Sequence, residues 1–424
     1  MQYCIADNGV GMLSNNDDLM TNEERHVTYY ARNEKPTNPS SVTPDTPLSV
    51  LNLNWREKEL PERERTKHVH RLHPYLGKFI PQLVEIFLRK YFEPGQTILD
   101  PFCGSGTTLI QANELGINSL GYDISAFNVL LVRAKSAQYD LEIVKKEILD
   151  ILSRVERQES KKALKQLSFW MTNGLTNGQT VENEYLKAWF APQALVELLN
   201  YSGLIRNYEY KDILRVILSR SARSARLTTH FDLDFPKKPV TEPYYCYKHS
   251  RICAPTTNAY QFLKRYSLDT IKRLYEFAAV RTSARIEVRH EDSGKAHFPI
   301  IDGVITSPPY VGLIDYHDQH RYAYELLGLK DLSEDEIGPA FRGRSQKAKS
   351  EYQEAIANVL QRCAESLTSG GRLIVVANDS LGLYDEIAEL SKVEVEATVN
   401  RHVNRRTGRR SSEFYESVFI WRKP

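Results

Sequence analysis

The sequence predicts an α/β fold in which a parallel sheet carries helices on both faces and is interrupted by a mostly helical insertion. Three observations predict it. Short apolar runs that end in an acid recur at 96–100 and 119–123. A glycine-bearing turn and a helical pattern lie between them, which is the strand, turn, helix, strand rhythm of a parallel unit. The same alternation returns after residue 285 and continues to 417–422.

Each element follows in order. Residues 1–55 read as an N-terminal arm. Within it, 33–47 hold four prolines among polar residues and offer little that packs, so an extended or flexible chain is expected. The charged run 56–67 is expected to be exposed. Apolar residues at 79, 83, 86 and 87 predict an amphipathic helix. A strand at 96–100, a helix at 107–115 closed by Gly116, a strand at 119–123 and a helix capped by Ser125 complete the first half, 56–140. Residues 141–285 break the rhythm: they are mostly helical, with an aromatic, proline-bearing stretch at 231–260. The second half, 286–424, opens on the strand-like 284–292. It continues with a strand running into a turn at 303–310, a helix at 351–367 stopped by Gly370 and Gly371, and strands at 372–378 and 417–422.

Composition narrows the function. Lys and Arg number 56 against 54 Asp and Glu, so the chain is no polycation and any nucleic-acid surface must come from local clusters. Five scattered cysteines do not form a disulfide framework and point to a reducing compartment. No apolar run approaches membrane-spanning length, and the first residues lack a signal-peptide core. A soluble, cytoplasmic protein without membrane contact is expected.

The glycine turn is the first candidate site. Asp100, Pro101, Phe102, Gly104, Ser105, Gly106, Thr107 and Thr108 sit between a predicted strand and a predicted helix. Glycines let backbone approach a ligand closely and tolerate positive φ. Asp123 ends the next strand, followed by Ile124, and an acid at that tip is placed to accept ribose hydroxyls. There is no third glycine for a dinucleotide fingerprint and no Gly-Lys-Ser/Thr for a phosphate loop.

DPFCGSGTT resembles the cofactor motif of amino-directed, S-adenosylmethionine-dependent DNA methyltransferases. The resemblance implies a Rossmann-like methyltransferase sheet and S-adenosylmethionine as cofactor, with Asp100 and the glycine turn on its methionine part and Asp123 on its ribose. Asp292, in HEDS, matches the acid near the adenine. The run from His73 to Pro81, which contains Lys78, is similar to the family's additional cofactor-side motif. One departure is plain: the long insertion precedes Asp292 rather than following it.

The second candidate site is Ser307, Pro308, Pro309 and Tyr310, after an apolar strand. An exocyclic amino group is a poor nucleophile because its lone pair is delocalised into the ring. Acceptors aimed at its hydrogens favour the pyramidal geometry of the transition state. The Ser307 hydroxyl and the Pro308 carbonyl are the candidate acceptors, two prolines stiffen the turn, and Tyr310 offers a flat face to an extruded base. In the family that this resembles, a motif beginning with Ser is typical of cytosine-N4 enzymes, and one beginning with Asp or Asn of adenine-N6 enzymes. The expected activity is therefore site-specific methylation of N4 of cytosine in double-stranded DNA, in a restriction-modification or related defence setting, with a cognate restriction endonuclease as a possible partner. Adenine-N6 methylation, RNA methylation and a catalytically silent DNA-binding module are the competing readings.

Arginines supply the DNA candidates. Arg401, Arg405, Arg406, Arg409 and Arg410 cluster in a predicted loop before the last strand, and Arg220 and Arg223, with Arg226, are three apart on one predicted helix. The order of motifs resembles the family's arrangement in which target recognition falls between the cofactor and catalytic halves, which implies that role for the 141–285 insertion. Cys103 reads as a small buried residue rather than a nucleophile. His68, His70 and His73, and separately Cys246, His249 and Cys253, fall short of a tetrahedral set at recognisable spacing, so no metal is expected.

Overall fold

The structure is a computed structural model and describes residues 27–31, 35–75, 77, 79–158, 183–233, 236–403 and 414–424. Ten strands are assigned among them: β1 (Val27–Tyr29), β2 (Thr97–Asp100), β3 (Asn118–Asp123), β4 (Tyr244–Cys246), β5 (Arg251–Cys253), β6 (Ile286–His290), β7 (Ile301–Thr306), β8 (Leu367–Ala377), β9 (Glu394–His402) and β10 (Tyr415–Arg422). Eight form one sheet in the order β1-β9-β10-β8-β7-β2-β3-β6, and β4 and β5 form a separate hairpin. Every pairing in the large sheet is parallel except those of β10, which runs antiparallel to β8 and β9. This is the expected α/β, Rossmann-like sheet with one strand reversed.

Strand periodicity explains the layers. Side chains alternate between faces, so Leu99, Val304, Leu373 and Val375 enter one core while their neighbours Ile98, Ile305, Ile374 and Val376 enter the other. The first face is covered by the Gln346–Ser366 helix through Ile356, Leu360 and Cys363. The second is covered by the Pro81–Tyr91 helix through Leu83, Ile86 and Phe87. Each fully buried Leu, Ile or Phe of these layers contributes about 1.5–3 kcal/mol. The helices between β3 and β6 do not stand apart. Those at Leu141–Gln158, Pro192–Leu204, Lys211–Ala225 and Tyr260–Ala278 share a core with Phe127, Leu130 and Leu131 of the Ala126–Ser136 helix. No helix among the described residues is long and apolar enough to cross a membrane.

Three expectations change. The described part of the N-terminal arm is seated: Val42, Leu51 and Leu53 are buried against the second face, and Lys90 Nζ donates to the carbonyls of Pro44 and Thr46. The stretch folds into two single 3-10 turns, Pro39–Ser41 and Leu48–Val50, and its three apolar side chains dock it on the sheet. Gly370 and Gly371 do not stop a helix. The helix ends at Ser366, and the glycines lie in β8, where the register against β7 jumps from Leu367 to Arg372. Arg401 lies in β9, not in a loop.

Candidate active site

β2 and β7 are neighbours in the sheet, and the chain leaves them in opposite directions, through β3 and β6 on one side and β8, β10 and β9 on the other. Ligands of open α/β sheets bind beyond the strand carboxyl ends at such a switch point. A cleft of about 880 Å³ opens there. Of the predicted cofactor residues, Asp100, Pro101, Phe102, Gly104, Ser105, Thr107, Asp123, Ile124 and Asp292 line it, as do Ser307 and Pro309 of the second motif. Lys78 lies outside the described residues. Asp292, two residues past β6, reaches the cleft because β6 is the edge strand beside β3.

The glycine turn is shaped by its packing. Gly106 has φ 77°, and a Cβ there would stand 2.8 Å from Val132 Cγ2. Gly104 has φ 48°, and its Cβ would stand 3.2 Å from the Tyr75 hydroxyl. The Gly106 N–H donates to the Cys103 carbonyl at 2.7 Å, and the buried Lys135 ammonium donates to the Ser105 carbonyl at 2.5 Å. Thr107 then starts the Thr107–Glu114 helix, and buried Thr108 donates to the Ile305 carbonyl, joining the turn to β7.

Two carboxylates close the floor. Asp123 accepts from the backbone N–H groups of Gly104 and Ser125, each at 2.8 Å, and from Asn128 Nδ2 at 3.1 Å. Three donors make four contacts to it, two on each oxygen, so the carboxylate is held firmly at the edge of the cleft. Burial pushes its pKa up against those bonds. Asp100 accepts from the Thr306 hydroxyl at 2.7 Å and the Phe102 N–H at 3.2 Å. Burial outweighs these bonds, and its pKa is pushed up to about 7.

The second motif leaves β7 at its carboxyl end. Buried Pro308 and half-buried Tyr310 are not among the residues lining this cleft. The Pro309 carbonyl accepts the Tyr352 hydroxyl at 2.9 Å, and the Tyr310 hydroxyl donates to Glu416 at 3.1 Å. Burial and the Glu416 carboxylate push the Tyr310 phenol well up, so it stays a neutral donor.

Several cleft residues carried no motif. Tyr75 donates no obvious sequence signal beyond its place in the additional motif, yet its ring stacks on His320 and Tyr316, and its hydroxyl accepts from Asn128. The backbone N–H groups of Tyr316 and His317 donate to Glu336, whose carboxylate also contacts His317 Nδ1. Their partnership spans two loops, which spacing alone does not reveal.

The predicted DNA-binding arginines divide. Arg405, Arg406, Arg409 and Arg410 lie outside the described residues. Arg401 is buried and pairs with Glu416 at 2.7 Å, its partner across the β9–β10 ladder. Arg220 is buried too, paired with Asp269 at 2.7 Å and set over the Tyr266 ring. Both are corrected from phosphate contacts to internal ion pairs, because each has a carboxylate within reach and little solvent. Arg223 is half-buried on the same helix. Among the histidines and cysteines, His68 and His70 approach Glu114, whose other oxygen is taken by Lys67 at 2.6 Å. Cys246, His249 and Cys253 gain a fourth companion, His230, that the spacing had hidden.

A nucleoside-sized cleft at the switch point, floored by acids on adjacent strand tips and walled by a glycine turn, defines a nucleoside-binding α/β enzyme. A family model described as DNA methylase matches residues 8–133. The Type II methyltransferase M.MjaII of Methanocaldococcus jannaschii is 39% identical over 430 residues, covering 85% of this chain and 81% of that protein. The Type II methyltransferase M.BsoBI of Geobacillus stearothermophilus is 23% identical over 338 residues, covering 69% and 59%. Among solved structures, TrmN from Thermus thermophilus is 12% identical, covers 82% of this chain and 50% of that one, and gives a TM-score of 0.30. The chain belongs to the DNA methyltransferase family, with S-adenosylmethionine as methyl donor and DNA as substrate. The cleft suits that cofactor: besides the two acids, the Ser105 hydroxyl and the Asn128 amide oxygen are buried with no hydrogen-bond partner among the described residues.

Proposed function

We propose that this chain methylates N4 of cytosine in duplex DNA. The observation that carries the reading is the meeting of Ser307 with the glycine turn in one cleft, tied together by the Thr306–Asp100 hydrogen bond. S-adenosylmethionine, when bound, supplies an electrophilic methyl group. The chain's part is to hold and orient. Asp100, Ser105 and the Gly104 turn take the amino-acid end, Asp123 the ribose, and Asp292 the adenine side. Ser307 and the Pro308 carbonyl accept hydrogen bonds from the target amine, localising its lone pair for attack. Tyr310, fixed through Glu416 and Arg401, offers its face to the extruded base.

The arginines of 404–413 and the helical layer with its β4–β5 hairpin supply the DNA contacts in this reading. Tyr245 and Tyr247 are 49% and 77% exposed on that hairpin beside Lys248 and Arg251, a combination suited to bases and phosphates. A cognate restriction endonuclease would act at the same sequence.

Adenine-N6 methylation is the second reading, because the matched family model spans both amino groups. The test is transfer of labelled methyl to unmodified genomic DNA, with the digested nucleosides resolved by mass. N4-methylcytosine supports the proposal. N6-methyladenine overturns the base assignment and leaves the mechanism of positioning intact.

A further inference from the structure

The β4–β5 hairpin is too small to explain its own burial pattern. Each strand has three residues, and an isolated two-stranded hairpin is marginal in water. Tyr245, Tyr247 and Ile252 point outward and are exposed. Yet Cys246 and Cys253 are buried, at 0% and 8% exposure. Something other than an apolar core gathers them.

His230, Cys246, His249 and Cys253 present one nitrogen or sulfur each, all within 4.8 Å of one another. Cys246 Sγ stands 3.7 Å from His230 Nδ1 and 3.6 Å from His249 Nδ1, and His249 Nδ1 stands 3.4 Å from Cys253 Sγ. A zinc ion with bonds of about 2.3 Å to sulfur and about 2.0–2.1 Å to nitrogen sets its tetrahedral N···S separations near 3.5 Å. The three measured separations bracket that value. The backbone prepares the same arrangement. Two residues separate Cys246 from His249 and three separate His249 from Cys253, so His249 falls in the hairpin turn, where its N–H donates to the Cys246 carbonyl. Ser250 completes the turn with φ 52°. The Tyr244 hydroxyl accepts the His230 N–H at 3.0 Å and seats that residue beside the pair.

We propose that these four residues bind zinc as a closed structural site. Two sulfurs and two imidazoles are the donor set tetrahedral zinc takes. On binding, each thiol releases its proton and the two thiolates neutralise the dication, which makes burial of both cysteines favourable. With four protein ligands no position is left for water, and none of the four lines the reaction cleft, so the ion holds the hairpin rather than taking part in methyl transfer. A Cys246–Cys253 disulfide is the rival: the register pairs Cys246 with Arg251 and Cys253 with Tyr244, which makes the cysteines diagonal neighbours.

The test is elemental analysis of the full chain purified without chelator, followed by exchange with cobalt. The expected result is one zinc per chain, released by a mercurial thiol reagent, with intense visible bands of tetrahedral, thiolate-ligated cobalt after exchange. Cys246→Ser and Cys253→Ser should each lose the metal, and S-adenosylmethionine binding should persist. The cobalt spectrum of the unaltered chain serves if a variant does not fold. A chain that takes up no zinc or cobalt, a Cys246–Cys253 disulfide in protein kept under reductant, or metal retained by the Cys246→Ser, Cys253→Ser double variant would each overturn the proposal.

Discussion

Thr306 donates its hydroxyl to Asp100 at 2.7 Å, tying the tip of β7 to the tip of β2. The proposed reaction turn and the proposed cofactor acid therefore share one buried hydrogen bond. Replacing Thr306 with Val keeps the shape and leaves a buried acceptor short of a partner. A lost bond to an ionised group is worth about 1.5–3 kcal/mol, so the cofactor Kd should rise roughly ten- to hundredfold. Titration calorimetry decides it; an unchanged Kd removes Thr306 from the cofactor's account.

The same acid predicts a pH dependence. Asp100 has a folded pKa pushed up to about 7, above the ordinary value near 4. Its protonated form stabilises the empty protein fully below pH ~4, and that stabilisation is lost as pH rises towards ~7. Binding an ammonium needs the ionised form, so cofactor affinity should fall up to about tenfold per pH unit below 7. Asp100→Asn should flatten that profile and bind weakly throughout. An equally steep profile in the variant would refute the assignment.

Ser307→Ala tests the reaction turn. Removing one acceptor of transition-state charge costs roughly 10²–10³ in turnover in comparable sites, while cofactor Kd should hold. Single-turnover methyl transfer gives the first quantity and calorimetry the second; full turnover would sink the role given to Ser307.

Arg401→Met separates two roles for one arginine. Leaving Glu416 buried without its partner should cost about 3–5 kcal/mol of stability, read from denaturant unfolding. The slope of DNA affinity against salt should not change, since a phosphate contact would contribute about one unit to it. A shallower slope in the variant would restore Arg401 to the DNA surface.

Tyr245→Ala and Tyr247→Ala should leave cofactor Kd and melting temperature in place. Stacking on a base is worth about 1–3 kcal/mol, so duplex affinity by fluorescence anisotropy should fall about five- to a hundredfold if either ring meets DNA. Unaltered affinity in both would confine the hairpin to a structural role.

What the sequence made legible was what chemistry constrains tightly. Asp100, Gly104 and Asp123 were readable because a glycine turn and strand-tip acids need those residue types at that spacing, and Ser307 because of its place in the Ser-Pro-Pro-Tyr turn; these four line the cleft, while Gly106 packs on Val132. Relations that depend on register were not readable. Arg401 looked like part of a charge run, and only the β9–β10 ladder reveals Glu416 opposite it. His230 lies 16 residues before Cys246, beyond any local spacing rule. The docked stretch around Val42, Leu51 and Leu53 was hidden by its prolines, since three apolar residues leave no periodic trace.

The cleft's two halves also have a timing. Thr306 and Asp100 are 206 residues apart in the chain, and long-range pairings of this kind form late because closing so large a loop is entropically costly. During synthesis the cradle emerges well before its counterpart. A product cut short anywhere in between carries a cofactor wall and no reaction turn, and is inert towards the genome. Only a chain that extends past Ser307 holds both halves of the proposed site.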